Sequence, residues 1–347
     1  MARFERVPLD APVWSRAHAG FGDRLVFQSA EWLKFLAETQ GVEPVLAELR
    51  EGQETLGYVT GVIFKKFGLR IFASPIPGAS TPYMGFNLRP GVSRRVAVQA
   101  LPEFAFKQLR CVHLEVVDAF LKMEDIEGLG FNHKHHPTLE VDLTGTEEEI
   151  FNRMTKSCRW TVRKAEKNGV VIEEARDEGF ADDVAAQLTE VFARHGLALH
   201  FGADRVRAMI RLLQPAGTVL LLRARDPEGQ CIGTGIYPGL HETSFYLIGA
   251  SWRKYQKLYP NELLLWNAML HWKRRGARVF NMVGNMEFKR KFGGVETSVP
   301  LISKSSNALI AFLRTRAPAM ARAAMKLAYK LKPRRPAPPA EPSEPQA

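Results

Sequence analysis

The stretch that most constrains this chain is residues 280–294, which read FNMVGNMEFKRKFGG. Its first part predicts a strand over Arg278–Met282 that ends in a turn at Gly284, because glycine adopts backbone conformations that other residues resist. Two neighbouring pairs of an aromatic ring and a cation follow the turn: Phe288 with Lys289, and Lys291 with Phe292. An ammonium group can be buried only when it is paired. The segment is therefore either a turn that contacts a ligand or a surface hairpin with solvated lysines.

The sequence in front of this segment has a pattern of its own. A turn rich in aromatic and basic residues begins at Trp252, and a leucine-rich helix is predicted over Pro260–Arg275, followed by a glycine exit at Gly276. Together with the Phe-Lys-x-x-Phe-Gly pattern at 288–293, this ordered set resembles the FemABX family and the exopolysaccharide-associated acyltransferases. Both lie within the GNAT (acyl-CoA N-acyltransferase) superfamily. The resemblance covers residues 150–305 well and the first 140 residues more loosely.

Length and composition set outer limits on the protein. The chain has 347 residues, of which 46% are hydrophobic and 24% charged, which is typical of soluble globular proteins and enough for two domains. It contains no run of about 18 apolar residues and no signal-peptide core at its N-terminus. Its three cysteines, at 111, 158 and 231, have neither metal spacing nor a disulfide pattern. We therefore expect a cytoplasmic protein. The net charge of +11 favours anionic partners: a phosphorylated cofactor, nucleic acid or an acidic membrane face.

The order of the predicted elements indicates an α+β fold. In the first 145 residues, a helix capped by Ser29 precedes a series of antiparallel strands, and a further helix and two strands follow. The resemblance implies tandem GNAT-like domains, with mixed, mostly antiparallel sheets flanked by helices. An N-terminal domain would span residues 1–145 and a catalytic domain residues 146–305. The letters show no internal repeat, so the tandem arrangement comes from the resemblance alone.

The C-terminal end of the chain changes character after residue 305. Residues 306–332 predict a basic amphipathic helix, with Met320, Leu327 and Leu331 on one face and basic residues on another. Residues 333–347 are rich in proline and predict a disordered tail. A basic amphipathic helix suits peripheral contact with the anionic inner face of a membrane. The alternative is that its apolar face packs on the catalytic domain.

Two stretches of the N-terminal half are candidates for a site. We expect the Pro/Gly-rich loop Ser74–Asn87, including its Tyr83, to frame a site rather than pack in the core. The histidines between His133 and His136 suggest a metal, but no carboxylate or thiolate with suitable spacing lies nearby. We interpret that run as a loop before a strand over Thr138–Leu143, and we expect no metal.

A helix after Thr146 leads into a cationic stripe. Lys156, Arg159, Arg163 and Lys167 recur at spacings of three, four and four, which places them on one helical face. The simplest interpretation is a solvated surface. The resemblance implies more, because in FemABX proteins this pattern begins the second GNAT-like domain close to phosphorylated ligands. Arg159 and Arg163 are therefore candidate ligand-binding residues.

The resemblance also implies where the donor binds. The coenzyme A signature of GNAT proteins, Arg/Gln-x-x-Gly-x-Gly/Ala, should fall at residues 251–261, but its glycines are missing there. We predict that Arg253, Lys254 and the amides around Asn261 hold phosphates at a helix N-terminus, with Gly284 allowing close backbone approach. FemABX proteins share this departure and use aminoacyl-tRNA, whereas the exopolysaccharide-associated branch implies acyl-CoA. The donor is thus acyl-CoA or aminoacyl-tRNA, and tRNA is a candidate partner.

GNAT-type chemistry needs a positioned donor, removal of the amine proton and stabilisation of the developing oxyanion. Lys289 is the candidate for steadying either the donor phosphates or that oxyanion, with Phe288 stacked beside it. Tyr246 is a candidate for proton handling, although an aromatic residue on a strand is more often part of the core. Glu262 and Glu287 are further candidates for proton handling. The sequence suggests no Ser/His/Asp or Cys/His catalytic set.

These features predict an N-acyltransferase or aminoacyltransferase that moves its group onto an amine of a cell-wall precursor or a surface polysaccharide. The alternative is a non-catalytic GNAT scaffold that binds nucleic acid or an anionic membrane, for which the cationic stripe and the C-terminal segment would suffice. Phe288, Lys289 and the flanking glycines stand together in one ordered segment. A bare binding scaffold would not need that segment, so the enzyme is favoured.

Overall fold

The computed structural model describes residues 1–78, 80–194 and 201–314 of the chain. Its strands are β1 (Arg3–Val7), β2 (Glu43–Glu51), β3 (Glu54–Lys66), β4 (Leu69–Ser74), β5 (Gly85–Leu88), β6 (His113–Val117), β7 (Asn132–Asp142), β8 (Val171–Glu174), β9 (Val219–Arg225), β10 (Cys231–Leu240), β11 (Thr243–Phe245), β12 (Ile248–Ser251), β13 (Val279–Asn281) and β14 (Val295–Ser305). Its helices are α1 (Ala11–Ala19), α2 (Ala30–Gln40), α3 (Arg94–Glu103), α4 (Glu147–Arg153), α5 (Lys156–Lys167), α6 (Gly179–Arg194), α7 (Ala203–Leu212), α8 (Pro260–Arg274) and α9 (Glu287–Arg290).

The described strands join into a single mixed sheet. Its order is β1-β2-β3-β4-β6-β14-β7-β13-β11-β10-β9-β8, with β5 paired to β3 and β12 paired to β10. Most neighbouring strands are antiparallel, but β4 with β6 and β11 with β13 are parallel. The predicted α+β class, with a mostly antiparallel sheet flanked by helices, is confirmed.

The two parallel pairs of strands show a structural repeat that is not visible in the sequence. In each pair a helix intervenes along the chain: α3 between β4 and β6, and α8 between β11 and β13. The strands of the two halves also interleave, because β7 from the N-terminal half pairs with β13 and with β14. Residues 1–304 accordingly form one compact unit. The boundary at residue 145 stays a prediction.

Local signals in the sequence account for where several helices begin. The Ser29 hydroxyl accepts a hydrogen bond from the Trp32 amide at the start of α2. Thr146 and Glu149 form a reciprocal capping box at the start of α4. Each cap satisfies backbone N–H groups that have no partner within the helix. These helix starts were therefore predictable from short-range sequence alone.

Two predictions for the N-terminal half are wrong. Tyr83 is only 1% exposed and packs in the core against the rings of His136 and Phe245, so it does not frame a site. The run from His133 to His136 is not a loop, because it lies in β7 and pairs along β14. In both cases long-range packing decides the structure, and no local pattern reports it.

Residues from Ser305 onward form a separate unit, in which residues 308–314 are helical. The remainder of the helix predicted over 306–332, and the tail predicted over 333–347, lie outside the described residues. Within the ranges that the structure describes, no helix is both long and apolar enough to cross a membrane.

Candidate functional site

The candidate site begins where β11 and β13 separate. The Tyr246 amide still donates to the Asn281 carbonyl on β13 (2.9 Å), whereas the Leu247 amide donates to the Ile236 carbonyl on β10 (3.1 Å). From there β12 pairs with β10, and its other edge has no strand partner among the described residues. This change of partner divides residues 243–251 into two strands, β11 and β12.

A cavity of about 710 Å³ opens beside the free edge of β12. Its volume falls within the range of roughly 300–1,000 Å³ that is usual for small-molecule sites. It brings together four residues predicted from the sequence: Tyr246, Asn261, Phe288 and Lys289. The other residues that line it are Ser80, Leu188, Val191, Phe192, Arg194, Phe201, Leu247, Ile248, Gly249, Ala250, Ser251, Gln256 and Met286.

Lys289 supplies a buried cation at the wall of this cavity. The residue is 9% exposed, and its Nζ donates to the carbonyls of Met282 and Val283, both at 2.6 Å. Burial lowers the pKa of Lys289 to about 8. Because an ammonium group has three donors, one N–H finds no acceptor among the described residues, which also place no carboxylate in ion-pair reach. A cation held in this way can stabilise negative charge brought by a ligand.

The aromatic ring beside Lys289 is not the predicted one. Its Nζ lies 5.0 Å from the centroid of the Tyr246 ring, whereas Phe288 lies under Lys291, 4.3 Å from ring centroid to Nζ. The prediction that Phe288 stacks beside Lys289 is therefore wrong. The reason is helical geometry: successive residues of α9 point about 100° apart, since the helix has 3.6 residues per turn. Phe288 nevertheless lines the cavity.

Of the residues predicted to handle protons, Tyr246 is the one that lines the cavity. Burial raises the pKa of Tyr246 to about 12, so its phenol stays protonated at neutral pH. It is suited to donating a hydrogen bond or a proton rather than to removing one. Its ring packs so closely on Gly249 that a Cβ there would come within 2.3 Å of the hydroxyl oxygen. Gly249 thus lets the phenol lie flat against β12.

The two carboxylates considered for proton handling lie elsewhere. Glu262 is held in an ion pair with Lys291 at 2.6 Å. The Glu287 side chain is 95% exposed, 3.8 Å from Arg290. Neither residue lines the cavity. The described part of the site therefore holds no carboxylate positioned as a general base.

Asn261 lies where the cavity meets the N-terminus of α8. Its Nδ2 donates to the Ser251 hydroxyl at 2.9 Å, while its buried Oδ1 has no hydrogen-bond partner among the described residues. Tyr259 precedes the helix with a left-handed φ of 58° and provides no side-chain cap. The first amides of α8 are thus left for another acceptor, and a helix N-terminus attracts anions.

The structure does not bring the other predicted ligand-binding residues into the cavity. Arg159 donates to the Asn152 and Met154 carbonyls, and the Arg163 guanidinium lies 5.1 Å from the Phe151 ring centroid. Arg253 and Lys254 are exposed in the turn before α8, and Gly284 forms the predicted turn at φ 92°. The roles of Arg159, Arg163, Arg253, Lys254 and Gly284 in ligand binding stay predictions.

Asn281 fixes the turn to which Lys289 is bound. It is 2% exposed, and its Oδ1 accepts hydrogen bonds from the Thr138 hydroxyl (2.8 Å) and from the Val283 amide (2.9 Å). Its Nδ2 donates to Glu140 at 3.0 Å. Because Val283 also presents one of the carbonyls that bind Lys289, this amide side chain positions the cation indirectly.

Sequence reasoning missed the wall that α6 contributes. Leu188, Val191 and Phe192 stand at spacings of three and one, so they share a helical face, and this pattern is visible in the letters. Ser80 lies in the Pro/Gly-rich loop Ser74–Asn87 that was predicted to frame a site, whereas Phe201 carries no such signal. Elsewhere in the described ranges, no group of three or more His, Cys, Asp or Glu side chains is placed to hold a metal ion.

Comparison with known proteins finds a family model that matches part of the chain. Residues 152–290 match the family model described as "Acetyltransferase (GNAT) domain". Comparison with curated protein sequences gives no significant match. Among solved structures, FemX superposes with a TM-score of 0.70 at 14% identity, over 86% of this chain and 96% of that chain. A tandem GNAT protein from the clavulanic acid biosynthesis pathway gives 0.54 at 9% identity, over 88% and 99% of the two chains. L-PGS from Bacillus licheniformis gives 0.53 at 13%, over 87% and 94%.

Residues 152–290, which match the GNAT acetyltransferase domain model, contain most of the residues that line the cavity. The fold of the described chain is similar to the folds of FemX and of the tandem GNAT protein. At identities of 9–14% these likenesses concern the fold alone.

Proposed function

We propose that this protein is an N-acyltransferase that moves an acyl group from coenzyme A onto an amine. The observation that carries the proposal is Lys289, a buried cation with no carboxylate partner among the described residues, at the wall of a cavity where two parallel strands separate. The matched GNAT domain contains this lysine. A fixed cation at the wall of a cavity is well suited to stabilise the oxyanion of acyl transfer.

The cavity lining favours acyl-CoA over aminoacyl-tRNA as the donor. An aminoacyl group carries an ammonium, and burying a charge is costly unless it is paired. The described residues that line the cavity include the cations Lys289 and Arg194 but no carboxylate. An uncharged acyl group meets no such penalty. The N-terminus of α8, beside Asn261, is the proposed site for the donor's pyrophosphate.

The reaction follows from this arrangement. The amine attacks the thioester carbonyl, the tetrahedral oxyanion forms beside the free N–H of Lys289, and the carbon–sulfur bond then breaks. Tyr246 stays protonated and donates a hydrogen bond to the departing thiolate, while the amine loses one proton to solvent and the thiolate takes one proton from solvent. The acceptor that the FemABX resemblance implies, an amine of a cell-wall precursor or a surface polysaccharide, is part of the proposal.

Thiol release tests this function directly. The purified protein is mixed with acetyl-, butyryl- or octanoyl-CoA and with an amine acceptor, either a UDP-linked muropeptide or glucosamine oligomers. We expect release of free coenzyme A that depends on the acceptor. Transfer from alanyl-tRNA, with no release from any acyl-CoA, would show that the donor is wrong. Binding of nucleic acid or anionic vesicles without any transfer would instead support the non-catalytic scaffold.

Replacing Asn281 with alanine should slow this transfer about tenfold. The change leaves the Thr138 hydroxyl and the Val283 amide without their buried acceptor, which costs about 1–3 kcal/mol and lets the lysine-binding turn move. Because Asn281 does not line the cavity, we expect kcat to fall while the KM for acyl-CoA changes little. Asn285→Ala is the matched control, since Asn285 lies in the same segment and bonds only Glu296 among the described residues. Equal kcat values for the two variants would contradict the positioning role.

A further inference from the structure

The cavity is much larger and more apolar than an acetyl group requires. Beyond the carbonyl, an acetyl group has a single methyl, whereas the cavity, which must also hold part of coenzyme A, continues along apolar side chains. Those from α6 are Leu188, Val191 and Phe192, and Leu247, Ile248 and Met286 face the same space. With an acetyl donor, much of this apolar wall would stay in contact with water, which is unfavourable.

The shape of α6 explains how the wall arises. Leu188 is buried in the core at 6% exposure, whereas Val191 and Phe192, one turn further on, are only partly buried. The three residues share one helical face. The apolar face of α6 therefore continues past the core and into the cavity. A surface helix without a ligand to cover would be expected to carry polar residues at these positions.

The orientation of the bound coenzyme A determines which part of it contacts the apolar side chains of α6. Phosphates at the N-terminus of α8 place the nucleotide end of coenzyme A beside Ser251, Gln256 and Asn261. The thioester then lies near Tyr246 and Lys289. An acyl chain that continues from the thioester can then pack along Val191 and Phe192, which line the same cavity. Two charged residues, Arg194 and Lys289, are present among the described residues of the lining.

We infer that the transferred group is an apolar acyl chain of medium length, and that Val191 and Phe192 set the length that fits. This inference rests on the proposed function, because it assumes that coenzyme A binds along β12 and α8. It goes beyond that function in naming the class of acyl group.

Binding of S-alkyl-CoA thioethers tests the inference without an acceptor. Ethyl-, butyl-, hexyl- and octyl-CoA cannot transfer their chains, and their dissociation constants can be measured by isothermal titration calorimetry on the full-length protein. Burial of each methylene should tighten binding by up to about fourfold. We therefore expect octyl-CoA to bind at least roughly 100-fold more tightly than ethyl-CoA, with a more negative heat-capacity change.

The possible outcomes separate the inference from the function. If coenzyme A and ethyl-CoA bind but longer chains do not bind more tightly, the inference of an apolar acyl chain is wrong. The proposed donor, coenzyme A, is then still supported. If neither coenzyme A nor any thioether binds, the proposed donor is wrong and the inference falls with it.

Two variants test whether side chains of α6 determine the length of acyl chain that fits. Val191→Trp should fill the space and weaken octyl-CoA about tenfold, while ethyl-CoA stays within twofold. Phe192→Ala should open the space and shift the best binder to a longer chain. Val171→Trp is the control, because Val171 is 61% exposed on β8 and does not line the cavity. Circular dichroism melts check that each variant folds. If folded variants keep the wild-type order of affinities, α6 does not set the length, and the wild-type series still tests the chain itself.

Discussion

Replacing Lys289 with alanine should lower the rate of acyl transfer by about 100- to 1,000-fold, the usual cost of removing one donor from an oxyanion site. The alanine variant loses the only described cation held within the turn at residues 282–283 and leaves two carbonyl groups without their donor. Arg290→Ala is the matched control, because Arg290 is the next residue of α9 but pairs with Glu296 at the surface. The control should keep activity within about twofold. Turnover of Lys289→Ala within threefold of wild type would contradict the assignment.

The pH profile gives a second measurement for the same residue. Burial lowers the pKa of Lys289 to about 8, so the ammonium form is present below that value and is lost as the pH rises through it. If the ammonium stabilises the oxyanion, kcat/KM should fall above pH 8. Lys289→Arg should retain part of the activity and lose this decline, because arginine stays protonated. A decline of the same midpoint in Lys289→Arg would assign the titration to another group.

Part of the site was predictable because its signals are local. The glycine turn at Gly284 and the lysine at Lys289 lie within six residues of each other, in a segment whose pattern resembles a known family. The helix that starts at Pro260 was likewise visible from its leucine periodicity. The sequence did not show which aromatic ring Lys289 contacts. That contact with Tyr246 joins elements 43 residues apart, and it depends on how two strands separate.

The fold was predicted in its elements but not in their arrangement. Local propensity and capping locate most helices and strands, since these depend on neighbouring residues. The place of β14 between β6 and β7 depends instead on pairing between distant segments, which no short pattern reports. The same limit explains the errors at Tyr83 and at the histidines of β7. Both stretches are polar or proline-rich in sequence and become ordered through tertiary contacts.

A buried ion network in the N-terminal half shows this limit most clearly. Arg94 pairs with Asp23 at 2.7 Å and with Asp118 at 2.8 Å, and the Asp118 side chain is only 1% exposed. The two carboxylates also accept hydrogen bonds from the amides of Phe86 and Leu88 on β5. Because the opposite edge of β5 pairs with β3, the network satisfies backbone donors that would otherwise be buried without partners.

Replacing Arg94 with methionine should therefore destabilise the fold by about 3–5 kcal/mol, since it leaves the charge of Asp118 buried and uncompensated. Denaturant unfolding measures this loss, with Arg89→Met as a control at an exposed pair 4.0 Å apart. Adding Asp118→Asn should restore a large part of the lost stability, because the asparagine side chain keeps an acceptor oxygen but carries no charge.

Burial raises the pKa of Asp118 even beside Arg94, and removing the guanidinium raises that pKa further. A raised folded-state pKa favours stability at low pH, so the difference from wild type should shrink between pH 7 and pH 5. A loss under 1 kcal/mol, or one that grows as the pH falls, would show that water reaches Asp118 and that the network does not hold β5 in place.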